Sequence, residues 1–411
     1  MPIDIARLSA EIDHLAQFSD VPAPAVTRVL WTPTDLKGRA YLRQLYDEAG
    51  LDVRTDALGN TFARWVGSEP GLAPVATGSH VDAIPHAGKF DGVLGVLGAL
   101  EAIRALKNSG HKPRRSIELI QFTSEEPTRF GLGCLGSRAL SGARTPDQLR
   151  ALKDADGVSL DDARRNAGFD GSLETVRLPD DPYHAFVELH IEQGLELERL
   201  HLPLGLVMAI AAPAALRVEI VGVGGHAGAT LMPGRRDALL AGAELALAVE
   251  RAALDTGSVD TVATTGLFQV HPGAVNSVPS RVQIEIDARD INGARRDAVV
   301  EAIQKAAADI ETRRKVTFHL EILNADPPAT CAPLVVNALE TACREIEAPF
   351  QKMVSRAYHD ALFMARVCPI GMLFIPSRGG ISHRPDEYSA PEDIARGTDV
   401  LARTLAQLSK G

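Results

Sequence analysis

Two glutamates stand side by side in FTSEEPTRFG, residues 122–131, where an apolar run ends. Adjacent carboxylates repel, so a fold that sets Glu125 and Glu126 together at a core edge needs a use for both. GSHVDAIPHAGKFDG, residues 78–92, supplies His80, with Asp82 two residues on and Asp91 eleven residues on. His190 closes the apolar part of AFVELHIEQG, and His383 lies just past that of GMLFIPSRGGISHRPDEYS. Two imidazoles and a carboxylate suit one divalent transition ion, and a shared carboxylate with one more of each suits a second. If Glu126 holds an ion, Glu125 is free to take a proton from water and relay it to a leaving nitrogen, because adjacent side chains at a strand end diverge. Asp82 is placed to orient the His80 site. Any one of these, alone, is more often an ordinary polar residue at a strand end. The convergence of His80, Asp91, Glu126, His190 and His383 carries the argument.

Convergence requires a scaffold. APVATGSHVD and RSIELIQFTSEE each have the form of a buried strand running into polar residues, and Gly92 to Lys107 between them is apolar at helical spacing. Strand, helix, strand predicts a βαβ unit in an α/β fold with a mixed, largely parallel sheet flanked by helices. Ligands gather at the carboxyl ends of such strands, where the SH and SEE motifs fall. AFVELHIEQG adds a third polar strand end. Upstream, TPTDLKGRAYLRQLYDEAG carries helix start and stop signals, and LDVRTDALGNTFARWVG predicts a hairpin around Gly59-Asn60.

The text changes character near the AAPAA stretch at 211–215. LRVEIVGVGGHAGATLMP, an Ala-rich helix at 235–253, DTVATTGLFQVHPGAVNSVPS, RVQIEIDARDI, another helix and KVTFHLEIL predict an inserted α+β domain over 213–325. Residues 1–212 and 326–411 then form the first domain, to which the Pro-rich NADPPAT returns the chain.

At 411 residues and 45% apolar content, the chain has material for two cores. A net charge of −10 and the lack of a Lys/Arg run argue against nucleic acid or an anionic membrane as partner. The first helix contains acidic residues and lacks the pattern of a signal peptide. No apolar stretch reaches the ~18 residues that span a bilayer, so a soluble, cytoplasmic protein is expected. Cys134, Cys331, Cys343 and Cys368 show no CxxC spacing and are expected to be reduced and packed as small apolar groups.

In this order, GSHVDAIPHAGKFDG, TSEEPTRFGLGCLGSR, ELHIEQG, GGHAGATLMP, HPGAVNSVPS, DARD, SRAYHDALFMAR and GISHRPDEYS resemble the M20-type metallo-amidohydrolases of the hydantoinase/carbamoylase branch. The resemblance runs from roughly residue 20 to residue 405. Within the branch, EEPTRFG, AIAAPA, DTVATTGLFQVHPGAVNSVPS and SRAYHDALFMAR are most similar to ureidoglycolate amidohydrolases, ahead of allantoate amidohydrolases and N-carbamoyl-L-amino-acid hydrolases. It implies that His80, Asp91 and His190 hold one divalent metal and that Asp91, Glu126 and His383 hold the other, with manganese favoured and zinc the alternative. Asp91 would bridge them, with Glu125 as general base and acid.

The inserted domain would act as a lid and as the contact of a homodimer. His226, in GGHAGA, would stabilise the developing oxyanion, where residues alone allow a solvent-facing turn. Gln193, Asn276 and Arg289 would bind a small ureido carboxylate, where a strand-end amide or a surface ion pair is the ordinary use of such residues. His359 and Asp360 would either contact the metal region or simply begin a helix. Arg384 and Ser377–Gly380 would tune substrate choice. The implied reaction is hydrolysis of a terminal ureido amide, with (S)-ureidoglycolate as the preferred substrate. A binding protein that keeps the fold without turnover would be expected to lose Glu125 or the metal ligands, and the sequence keeps them.

Overall fold

The computed structural model describes residues 1–411. VATGS forms strand β1 (Val75–Ser79), the apolar stretch after Gly92 forms helix α1 (Val93–Asn108), and IELIQ forms β2 (Ile117–Gln121). AFVELHI builds β3 (Ala185–Ile191) and IGMLFI builds β4 (Ile370–Ile375). Every residue of these four strands is buried, the pattern of strands covered on both faces. They lie side by side in the order β4, β3, β1, β2 and pair in parallel, so their carboxyl ends share one edge.

Antiparallel strands flank this centre, with Gly205–Ile210 beside β4 and Thr61–Trp65 beside β2, inside a nine-stranded mixed sheet. The expected hairpin forms between Asp52–Thr55 and Thr61–Trp65. Helix α1 packs on β1 and β3 and against the helix Pro391–Leu408. Alternation along β3 serves both faces. Leu189 meets the glycine positions Gly98 and Gly397, whereas Glu188 accepts a hydrogen bond from the Ala361 backbone at the start of the short helix Asp360–Met364. The core beneath the sheet includes Val93, Leu97, Leu119, Val187, Leu189 and Leu401, each side chain of which contributes about 1.5–3 kcal/mol through burial.

The chain divides into two units, Met1–Met208 with Thr330–Gly411, and Ala209–Ala329. The second unit has a four-stranded antiparallel sheet in the order Val262–His271, Arg281–Asp290, Ala212–Val221, Thr317–Ala325. Leu216, Val218 and Ile220 alternate inward with Val282, Ile284 and Ile286 against the helices Ala238–Leu254 and Gly293–Arg314. The first of these helices begins later than the Ala-rich pattern predicts. The Asp237 carboxylate caps it by accepting from the backbone of Leu239 and Leu240. No helix is long and apolar enough to cross a membrane. All four cysteines are free and buried.

Candidate metal centre

His80 follows β1 directly, Glu125 and Glu126 follow β2, His190 is the penultimate residue of β3, and His383 lies on the loop after β4. Four adjacent parallel strands thus deliver their polar ends to one edge of the sheet. Asp91 comes from the turn before α1. There Gly92 adopts φ +64°, and a Cβ at that position would lie 2.4 Å from the His80 ring. Only glycine allows this turn to press against the imidazole.

The carboxylate of Asp91 is the hub. Its Oδ1 faces His190 Nε2 at 3.2 Å and His80 Nε2 at 3.6 Å, while its Oδ2 faces His383 Nε2 at 3.1 Å. His383 Nε2 is also 3.3 Å from Glu126 Oε1. Two groups of potential ligands therefore share Asp91, namely His80, Asp91, His190 and Asp91, Glu126, His383. The first three are buried, whereas the His383 side chain is 48% exposed, so the second group opens to solvent.

The imidazoles are oriented from behind. His80 Nδ1 bonds the Asp82 carbonyl at 3.0 Å and His190 Nδ1 bonds the Ile191 carbonyl at 2.9 Å. With Nδ1–H donating, each ring leaves Nε2 as an acceptor, the tautomer a metal ligand requires, and at His190 that atom accepts the Gly92 N–H at 3.2 Å. Asp82 was expected to orient His80, and it does so through its backbone carbonyl, since its carboxylate Oδ1 stands at 3.6 Å, too far for a hydrogen bond. That carboxylate instead accepts the backbone N–H groups of Glu125 and Glu126 at 3.2 and 3.0 Å.

Charge in the pocket is unbalanced. Burial, with His80 opposing and Glu126, Asp360 and Asp91 adding to the effect, pushes Glu125 well above the ordinary carboxylate range. Burial and the Asp91 charge raise Glu126 to about 7. Asp91 goes the other way: burial would raise it, but the imidazoles of His190, His383 and His80 gathered around it hold it well below its usual value. A set of nitrogen and oxygen donors with surplus buried negative charge fits divalent cations, to which carboxylates bind deprotonated.

Residues 76–407 match Peptidase family M20/M25/M40. The chain belongs to that family. All five potential ligands lie inside the matched span of this M20 chain. Over 414 residues it is 53% identical to a ureidoglycolate hydrolase of Oryza sativa subsp. japonica, covering 99% of this chain and 85% of that protein. Over 418 residues it is 54% identical to a ureidoglycolate hydrolase of Arabidopsis thaliana, covering 100% of this chain and 87% of that protein. Among solved structures, AtUAH in complex with (S)-hydroxyglycine superposes with a TM-score of 0.90 at 53% identity, covering 100% of this chain and 98% of that one.

In the M20 chain, Gln193 has φ +56° and donates its Nε2 to Asp91 Oδ2 at 2.9 Å and to Ser382 Oγ at 3.1 Å. Its amide Oε1 is buried and has no hydrogen-bond partner. A cavity of about 700 Å³ opens beside it, lined among others by Gly194, Ser355, Arg356, Ala357 and Phe374. His359 packs edge-on against His190 at 4.5 Å between ring centroids, with Nε2 2.9 Å from Ser355 Oγ. Asp360 bonds Ser137 and also begins a short helix, so the two readings of this motif are both realised. Arg384 pairs with Asp386 at the surface.

The second unit brings two of its three expected site residues together. Gly225–His226 pairs with Ser277–Val278, and the Ala227 N–H donates to the Asn276 carbonyl at 2.8 Å. His226 is exposed, its Nδ1 accepting from the Gly228 and Ala229 backbone. Arg289 lies on the strand Arg281–Asp290 and makes a two-pronged ion pair with Asp287.

Sequence reading missed three neighbours of the site. Cys134 places Sγ 3.3 Å from Glu125 Oε1. Glu188 accepts from Ser79 Oγ at 2.7 Å beneath His190. Glu387 accepts from the backbone of Phe90 and Asp91. Only Glu188 carried a local signal, being a carboxylate inside an apolar run.

Proposed function

We propose that the chain is a metal-dependent amidohydrolase that cleaves the terminal ureido amide of (S)-ureidoglycolate. Water adds to the ureido carbonyl, the terminal C–N bond breaks to release ammonia and leave a carbamate, and the carbamate's remaining C–N bond then breaks, with protonation of its nitrogen, to give carbon dioxide and hydroxyglycine. Hydroxyglycine then breaks down to glyoxylate and a second ammonia, the end of purine-nitrogen recycling. The observation that carries the chemistry is the Asp91 carboxylate, with one oxygen facing His80 and His190 and the other facing His383. The substrate rests on identity of 53–54% to ureidoglycolate hydrolases along nearly the whole chain.

His80, Asp91 and His190 would hold one cation and Asp91, Glu126 and His383 the other, with manganese favoured over zinc. Bound cations supply Lewis acidity, which lowers the pKa of water and polarises a carbonyl. Glu125 stands outside both ligand groups, its Oε2 3.8 Å from His80 Nε2. It takes the proton from the attacking water and returns it to the departing nitrogen. The His226 ring serves the oxyanion, and Asn276 and Arg289 hold the substrate carboxylate. Gln193, seated on Asp91, acts on the ureido group by exchanging that partner.

Assembly as a homodimer through the second unit is part of this reading. Its strand Val262–His271 is an edge strand, and Leu240, Leu247 and Leu254, spaced seven residues apart on one helix, are all exposed. Leu247→Glu is expected to give a monomer in sedimentation velocity, and a monomeric wild type would overturn the assembly. We also place the enzyme in the cytoplasm, a reading that fractionation tests.

The deciding experiment is ammonia release with added manganese from ureidoglycolate, allantoate and N-carbamoyl-amino acids in parallel. Ureidoglycolate should dominate. No turnover of it, with turnover of either alternative, reassigns the substrate and leaves the chemistry intact.

A further inference from the structure

Glu387 lies 296 residues from Asp91 in sequence and touches it in space. Its Oε1 accepts from the Phe90 N–H at 2.8 Å and the Asp91 N–H at 3.1 Å, and its Oε2 accepts from Ser382 Oγ at 2.9 Å. The side chain is 5% exposed. A Cβ added at Gly88 would lie 2.4 Å from Glu387 Cβ, so the Asp91 loop approaches closely because residue 88 is glycine. The carboxylate thus joins the loop before α1 to the loop after β4.

The second loop carries His383, which adopts φ +59°, a left-handed conformation that a side-chain-bearing residue holds only when its surroundings enforce it. Four residues later, Glu387 closes the bend, its N–H donating to the Arg384 carbonyl at 3.1 Å. Ser382 Oγ stands 3.0 Å from Asp91 Oδ2, the oxygen that faces His383, as well as beside Glu387. One hydroxyl hydrogen serves two carboxylates.

We propose that Glu387 is a positioning residue for the bridging carboxylate, holding the backbone of Asp91 and, through Ser382, the oxygen turned toward the Glu126–His383 group. The inference rests on the reading of Asp91 as the shared ligand. It predicts that Glu387 governs metal binding without touching a metal, as hydrogen-bond partners behind ligands do. Glutamine keeps an oxygen for the two N–H groups, whereas alanine removes the tie.

The test is titration of manganese(II) chloride into full-length, metal-stripped protein, followed by calorimetry and by the metal content retained after gel filtration. Apo-protein melting is recorded alongside. Glu387→Ala is expected to bind manganese about 10–100-fold more weakly. Glu387→Gln is expected to stay near wild type, with the apo protein of both melting as the parent does. Ser382→Ala tests the relay without removing a buried charge and should weaken only the ion proposed for Asp91, Glu126 and His383, because its hydroxyl stands on the Asp91 oxygen that faces His383. Wild-type manganese affinity in both Glu387→Ala and Ser382→Ala overturns the proposal, and so does a loss in Glu387→Ala fully explained by an unfolded apo protein while Ser382→Ala binds normally. Asp91→Asn separates the premise: retention of both ions there refutes the shared-ligand reading itself, whereas their loss beside a normal Glu387→Ala refutes only the positioning role.

Discussion

The Asp82 carboxylate anchors Glu126 by its backbone, accepting that N–H at 3.0 Å with one oxygen while the other accepts the Glu125 N–H at 3.2 Å. Because the Asp82 carbonyl also fixes His80, this one residue sets the spacing between His80, just after β1, and the glutamate pair after β2. Asparagine in its place offers one acceptor oxygen and turns an NH₂ toward the remaining backbone donor. A hydrogen bond to a charged group is worth about 1.5–3 kcal/mol, so Asp82→Asn should lower kcat about ten- to a hundredfold with a smaller change in KM. Steady-state ammonia release checks this, and an unchanged kcat would mean that the loop holds itself.

Substitution within the glutamate pair should separate its two jobs. Glu125→Gln keeps the shape of the pocket and removes the proton acceptor, so the protein should retain its metal while turnover falls about 10²–10⁴-fold. Glu126→Gln alters a group 3.3 Å from His383 Nε2 and should lose metal first. Elemental analysis beside ammonia assays distinguishes the two. Equal metal content with equal activity loss in both variants would erase the division of labour.

His80, Glu126, His190 and His383 could be proposed as ligands because each stands at or just past an apolar run, and buried strands in an α/β sheet end where ligands bind, whereas Asp91, in the turn before α1, carried no such signal. The hairpin at Gly59-Asn60 was legible for a similar local reason, the turn residues between alternating strands. Strand order was not, since nothing local in VATGS or IGMLFI says that β3 lies between them. Glu387 escaped for the same cause: its partners Phe90 and Asp91 meet it only after the sheet has formed. Gln193 was seen as a candidate amide, but its positive φ and its turn onto Asp91 come from the loop geometry after β3.

Cys134 donates its thiol to Glu125 Oε1 from a left-handed residue whose own N–H bonds the Glu125 carbonyl at 2.7 Å. The contact engages Oε1 and leaves Oε2 as the carboxylate oxygen 3.8 Å from His80 Nε2. Cys134→Ser retains a donor and should keep most activity, whereas Cys134→Ala should lower kcat about two- to tenfold, the scale of one neutral hydrogen bond. Full activity in the alanine variant, measured at saturating substrate, would show that the backbone contact alone positions Glu125.

Alkaline pH should unfold the protein through its buried thiols and phenols. Burial pushes the thiols of Cys331, Cys343 and Cys368 up to about 12 from an ordinary value of 9.0, and the phenols of Tyr46 and Tyr183 are raised by the same cause. A group whose folded pKa is raised adds stability that is complete below its unfolded pKa and is lost as pH climbs toward the folded value. The thiol contribution is therefore intact at pH 8 and declines from about pH 9 toward pH 12. Melting temperatures taken at successive pH values should fall across that window. At pH 8 the native protein should resist a thiol reagent, and all four cysteines should react once it is denatured. Rapid labelling of the folded chain at pH 8, or a flat melting temperature through pH 11, would contradict the burial that the structure assigns to these side chains.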